Sequence, residues 1–115
     1  MLAHGSALAH ELTPTYPKLK PSYLDGISVT MMQMFNRRED VQFFEIDVYD
    51  EDWQPVTFAT KDKIIQVRYL QRNNFEVFIR NSDVGRARYI CTTSKLLTQN
   101  VESTGVSSRI CSKIE

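Results

Sequence analysis

Polar and apolar residues alternate along most of the chain with a period of two, the mark of strands with one buried face. In "VQFFEIDVY", Phe44, Ile46 and Val48 share a side, with Gln42, Glu45 and Asp47 on the other and Phe43 out of pattern. "KIIQVRYL" sets Ile65, Val67 and Tyr69 on one face, and "FEVFIR" does the same with Phe75, Val77 and Ile79. "ISVTMMQMF", "PVTFAT", "ARYICTTSKLL" and "VSSRICSKI" complete about seven strands, separated by the polar breaks "NRRED", "DEDWQ", "QRNN" and "NSDVG". No stretch offers ten residues with an apolar stripe at helical spacing. Short strands with turns about every 8 to 12 residues predict an all-β sandwich or barrel over residues 27–115.

Residues 1–26 read differently. They hold three of the four prolines, in "ELTPTYPKLKPSYLDG", and prolines so spaced forbid a helix and favour extended chain. This segment is expected to be an arm whose Tyr16, Leu19, Tyr23 and Leu24 grip either its own domain or a neighbour. Its first nine residues end in the small-x-small pattern Ala7-Leu8-Ala9. They are either the tail of a secretory signal, with the mature start at His10, or an unrelated leader, because a basic start and a longer apolar stretch are missing.

The two cysteines sit in related phrases, "RYICTTSK" and "SRICSK". Placing Cys91 opposite Cys111 centres a hairpin on Val101, with Asn100 and Gly105 near the turn. Tyr89 then faces Lys113, Thr93 faces Arg109, and Ile90 joins Val106, Ile110 and Ile114 on one apolar face. A slip of one residue would spoil that agreement. Residues opposed in a non-hydrogen-bonded pair lie about 4.5 Å apart, near the lower limit for a disulfide. Such a bond would stabilise the fold by about 3 kcal/mol in the chain-entropy model. It implies an oxidising compartment, periplasmic or extracellular; two unpaired core thiols in a cytosolic protein are the competing reading.

Composition narrows the function. The chain has 115 residues, 42% hydrophobic and 24% charged, with 14 basic and 14 acidic side chains and zero formal net charge. Nucleic acids and anionic membranes select a positive field, so neither is expected as the main partner. No apolar run approaches the roughly 20 residues that span a bilayer. Two cysteines with His4 and His10 placed in the arm leave zinc short of ligands. The acidic turn of Asp47, Asp50, Glu51 and Asp52 lacks the glycine and distal glutamate of a calcium loop. Trp53 at its end is expected to be a lid on the core or a contact anchor. Arg37, Arg38, Arg86 and Arg88 are expected to be solvated or paired with acids such as Glu39, Asp40 and Asp83. Ser103, Ser107, Ser108 and Ser112 cluster near the end of the chain, but with both histidines outside the folded part no Ser-His pair is expected. Cofactor, metal and catalytic residues are therefore all read as none.

The order of features resembles bacterial immunoglobulin-like domains, and more narrowly the N-terminal domain of PapD-type periplasmic pilus-assembly chaperones. "ISVTMMQMFNRRED" is similar to their first strand and break, "VQFFEIDVYDEDWQPVTF" to the second strand, turn and third, and "KIIQVRYLQRNNFEVFIRN" to the strand pair that ends in a basic residue. The resemblance implies a sandwich and a strand that binds a partner protein. The family's binding strand is a long alternating hydrophobic run, whereas "VSSRICSKI" is short, polar and cysteine-bearing, and no basic anchor can be matched. The expected function is a non-enzymatic secreted or periplasmic protein-binding module, chaperone-like, acting through its sheet edges and arm. Val106, Ile110, Ile114, Tyr16 and Tyr23 are its candidate contacts. A structural component of a phage virion or surface appendage, self-associating through the arm, is the alternative.

Overall fold

Because successive side chains of a strand point to opposite faces, a period-two pattern fixes which face meets the core. The computed structural model describes residues 10–95 and 108–115. Its strands are β1 (Glu11–Thr13), β2 (Lys20–Pro21), β3 (Ile27–Phe35), β4 (Phe43–Tyr49), β5 (Ile64–Gln66), β6 (Arg72–Arg80), β7 (Tyr89–Lys95) and β8 (Arg109–Lys113), with a single helical turn, α1 (Asn81–Val84), in the "NSDVG" break. In the first sheet β3 lies between β6 on one flank and both β1 and β2 on the other. The second sheet runs β5-β4-β7-β8. All pairs are antiparallel. The molecule is an immunoglobulin-like β-sandwich.

Between the sheets lie Met32 and Met34 of β3, Phe75, Val77 and Ile79 of β6, Phe44, Ile46 and Val48 of β4, and Ile90 of β7. The alternation read from these strands is the alternation observed. Two segments depart from it. "PVTFAT" forms no strand; it crosses from one sheet to the other and touches each through an isolated bridge, Tyr49 with Pro55 and Ala59 with Phe78. Tyr69 does not share the face of Ile65 and Val67. β5 stops at Gln66, and Tyr69 and Leu70 lie exposed, Leu70 at a positive φ of 61°. Here Asn36 overrides the side-chain pattern. Its buried amide donates 2.8 Å hydrogen bonds to the carbonyls of Val41 and Val67, and its main chain pairs with Leu70 and Gln71.

From His10 the chain lies along the sandwich. β1 pairs with the end of β3 (Leu12 opposite Met34), and β2 pairs with its beginning (Lys20 opposite Val29). Between them the chain changes sheets: the carbonyls of Thr15 and Pro17 accept hydrogen bonds from the N–H groups of Lys113 (3.0 Å) and Glu115 (2.9 Å). Leu12 and Pro17 are buried, and Leu19 packs against the core. The segment therefore stitches the two sheets along one side.

Candidate functional site: the outer edge of the second sheet

Among the described residues β8 is the last strand of its sheet, so one row of its main-chain groups has no second described strand beside it. Its register on β7 is the one the cysteines suggest: Tyr89 opposite Lys113, Cys91 opposite Cys111, Thr93 opposite Arg109. The predicted centre of the hairpin at Val101, and Val106 with it, lie outside the described residues. A disulfide joins Cys91 to Cys111, whose Cα atoms are 4.1 Å apart. Ile114 N–H donates to Arg88 O (2.7 Å) and Ser94 N–H to Ser108 O (2.9 Å). Hydrogen-bonded and open pairs alternate in an antiparallel ladder. Even-numbered residues of β8 therefore bond inward to β7, and Arg109, Cys111 and Lys113 turn their main-chain groups outward.

That outward row is half used. Lys113, and Glu115 just beyond the strand, are taken by Thr15 and Pro17. The N–H and C=O groups of Arg109 and Cys111 meet no main-chain partner among the described residues. The disulfide fastens this stretch to β7 and holds it in strand geometry.

Side chains of β8 divide by face. Ile110 and Ile114 turn inward, half-buried against the core, and Ser112 is fully buried. On the outer face the Arg109 guanidinium lies 5.0 Å from the centre of the Tyr49 ring. Trp53 is not a core lid. It is 46% exposed, at a positive φ of 62°, with its indole stacked 4.1 Å from Tyr89 and nearly parallel to it. The turn holding it is closed by Asp50, whose carboxylate accepts N–H bonds from Asp52 (2.8 Å) and Gln54 (2.9 Å). A left-handed conformation costs a bulky residue energy, and the ring stack offsets it. Further along this face Lys95, and then Lys63, hold the Glu45 carboxyl below the usual carboxylate range. Tyr16 and Tyr23 are both exposed but not together: Tyr16 adjoins the segment on β8, whereas Tyr23 meets Phe78 edge-on at 6.3 Å on the first sheet.

The arginines are paired with acids. Arg38 holds Asp40 through two bonds (2.9 and 2.6 Å), which keeps that carboxyl below its ordinary value. Arg86 meets Asp83 and Asp50, Arg37 meets Glu11, and Arg88 meets Glu51. Among the described residues no group of three or more His, Cys, Asp or Glu side chains is placed to hold a metal.

One expectation is overturned outright: His10 belongs to the folded part. It is 2% exposed, its ring 4.7 Å from that of Phe44. Nε2 lies 3.1 Å from the carbonyl of Thr92 and 2.7 Å from its hydroxyl, and Nδ1 is 3.4 Å from the Ser108 hydroxyl. The tautomer sets the directions: with the proton on Nε2 the ring donates to Thr92 and Nδ1 accepts from Ser108, and with the proton on Nδ1 it donates to Ser108 while the Thr92 hydroxyl donates to Nε2. Burial, the largest influence, pushes the histidine down from 6.5 to about 4. The Ser108–His10 contact has the members of a nucleophile-base pair, but the second nitrogen ends on Thr92 instead of a carboxylate, and the ring is enclosed. It locks β7, β8 and the N-terminal segment together. No local pattern announces it, since Thr92 is 82 residues away in sequence.

Fold and edge together define an immunoglobulin-like β-sandwich, and in fold it resembles PapD-like domains. Among solved structures, the E. coli chaperone DraB matches 93% of this chain with a TM-score of 0.68 at 14% identity. PapD-like domain 7 of human CEP192 matches 93% with a TM-score of 0.56 at 9% identity and 82% coverage of that chain. The chain spans about half of DraB, 53% of its length. No family model and no curated protein matches the sequence. Likeness at these identities is a likeness of fold.

Proposed function

We propose that the chain is a non-enzymatic protein-binding module, chaperone-like, working in the periplasm or another oxidising space outside the cytoplasm and accepting a partner's strand along β8. The observation that carries this reading is the outward main chain of Arg109 and Cys111, unpartnered among the described residues on a strand pinned by a disulfide. Main-chain bonding supplies affinity in strand addition and side-chain pockets supply specificity. The disulfide supports the compartment, since such bonds persist where thiols are not kept reduced. The DraB likeness supports the chaperone side of the proposal at the level of fold. Enclosure of the Ser108–His10 contact supports the non-enzymatic side.

The test uses an edge proline. Arg109 turns its N–H away from β7, so Arg109→Pro removes an outward donor and leaves the ladder whole, as edge positions tolerate. Ile110→Pro would instead remove an inward donor and break the hairpin. A photo-cross-linking residue at Thr93, beside Arg109 on the outer face, is expected to capture a strand-donating protein from extract of the native compartment. The same probe in the Arg109→Pro background is expected to lose the adduct while dichroism and the disulfide stay unchanged. An adduct that persists in the proline variant contradicts the reading.

A further inference from the structure

The outer face of the first sheet carries an unusual load for a surface turned to water. Val29, Met31 and Phe78 are adjacent there, Met31 53% exposed, and Tyr23 and Leu24 extend the patch at 84% and 48%. Exposed apolar patches of this kind, rimmed by polar groups, mark interaction surfaces. The other end of the face is closed off: Arg72 lies 4.5 Å over the Phe35 ring, and Arg37 pairs with Glu11. Two charged residues flank the apolar half, Lys20 on β2 opposite Val29 and Glu76 on β6 opposite Met31. Both border one concavity with Met31. Neither has an ion-pair partner among the described residues.

We infer that this face binds a second copy of the same chain. The argument is one of symmetry and charge. A self-complementary surface needs each residue to meet its counterpart under a two-fold axis. An axis along β3, between the facing sheets, puts β2 of one copy over β6 of the other. Each Lys20 then comes to the other copy's Glu76, and Val29 and Met31 pack against their own images. In register terms the offset is two residues, roughly 7 Å along the strand, within the reach of a lysine side chain. An axis across the strands would leave β2 over β2 and set lysine against lysine. The opposite charges therefore select one dimer, packed sheet on sheet.

The size of the face sets the strength. β3 and β6 are nine residues long and the short β1 and β2 make a third lane beside β3, so at strand spacings of about 4.8 Å the whole face projects at most roughly 450 Å², before the protruding Tyr23 and Leu24 are added. Standard interfaces bury roughly 800 Å² per partner. The dimer is accordingly weak and concentration-dependent, and it leaves the β8 edge open because that edge belongs to the other sheet.

Sedimentation equilibrium of the intact, oxidised protein across the micromolar range tests this. A monomer–dimer equilibrium is expected. Lys20→Glu and Glu76→Lys alone are each expected to weaken it at least tenfold, and Met31→Glu to abolish it. Lys20→Glu mixed with Glu76→Lys is expected to restore a one-to-one dimer, as is the double variant by itself. Dichroism and retention of the disulfide confirm that these exposed substitutions leave the fold intact. A protein that stays monomeric at the highest concentration, or a dimer indifferent to both single charge reversals, overturns the inference. A single reversal that weakens the dimer without rescue by the complementary variant overturns it too.

Discussion

An imidazole moved out of water favours its neutral form, and His10 is held that way between Phe44, Thr92 and Ser108. Folded, it takes up a proton only near pH 4; unfolded, it does so near 6.5. Between those values the unfolded chain binds more protons. The stability due to neutral His10 is complete above about pH 6.5 and is lost as the pH falls toward 4, by roughly 3 kcal/mol in all. Thermal unfolding of the wild type is therefore expected to weaken from pH 7 to 4.5 by several degrees more than that of His10→Gln, which has no titrating ring. Parallel pH curves for the two proteins would count against the buried neutral histidine. Asn36 is the second residue on which much depends. Asn36→Ala leaves two buried carbonyls without donors and is expected to cost roughly 3 kcal/mol, read as a lower urea midpoint with an unchanged slope. Neither residue was legible in the sequence. A histidine beside prolines and an asparagine before a charged run are ordinary surface motifs, and only partners far along the chain make them core.

At the scale of elements, legibility followed the length of the alternation. β4 and β6 were readable because three consecutive inward positions are apolar in each, and β3 only as a β-type run without a helical stripe, since exposed Met31 is as apolar as buried Met32 and Met34. The β7–β8 register could be read because the two cysteines and the isoleucines beside them agreed on it. "PVTFAT" misled because its apolar residues serve a crossing segment: Val56 is buried while the main chain touches each sheet at a single point, Val48 in one and Phe78 in the other. Trp53 misled because a large ring can be stabilised by stacking on a surface tyrosine as well as by burial. The disulfide links positions 20 apart, and Cys91→Ser with Cys111→Ser is expected to lower stability by about 3 kcal/mol in the chain-entropy model. Equal unfolding midpoints for the oxidised protein and the double variant would show that the crosslink adds nothing to the hairpin.

Viewed as a whole, the molecule is two sheets fastened along one side by a segment that changes sheets. Sequence indicated an extended N-terminal stretch with apolar points of contact; it could not say which strands they meet, since proline and isolated leucines carry no register. The candidate edge was half legible for the same reason. That the last strand could lie at an edge follows from the hairpin. That Thr15 and Pro17 occupy its far half, with Arg109 and Cys111 meeting no main-chain partner among the described residues, depends on the fold. Hydrogen exchange of the isolated protein, read amide by amide along β8, tests the open edge most directly. Arg109 and Cys111 are expected to exchange rapidly while Ile110, Ser112, Lys113 and Glu115 are protected. Protection of Arg109 and Cys111 equal to that of their neighbours would show the edge already filled and contradict the docking role proposed for it.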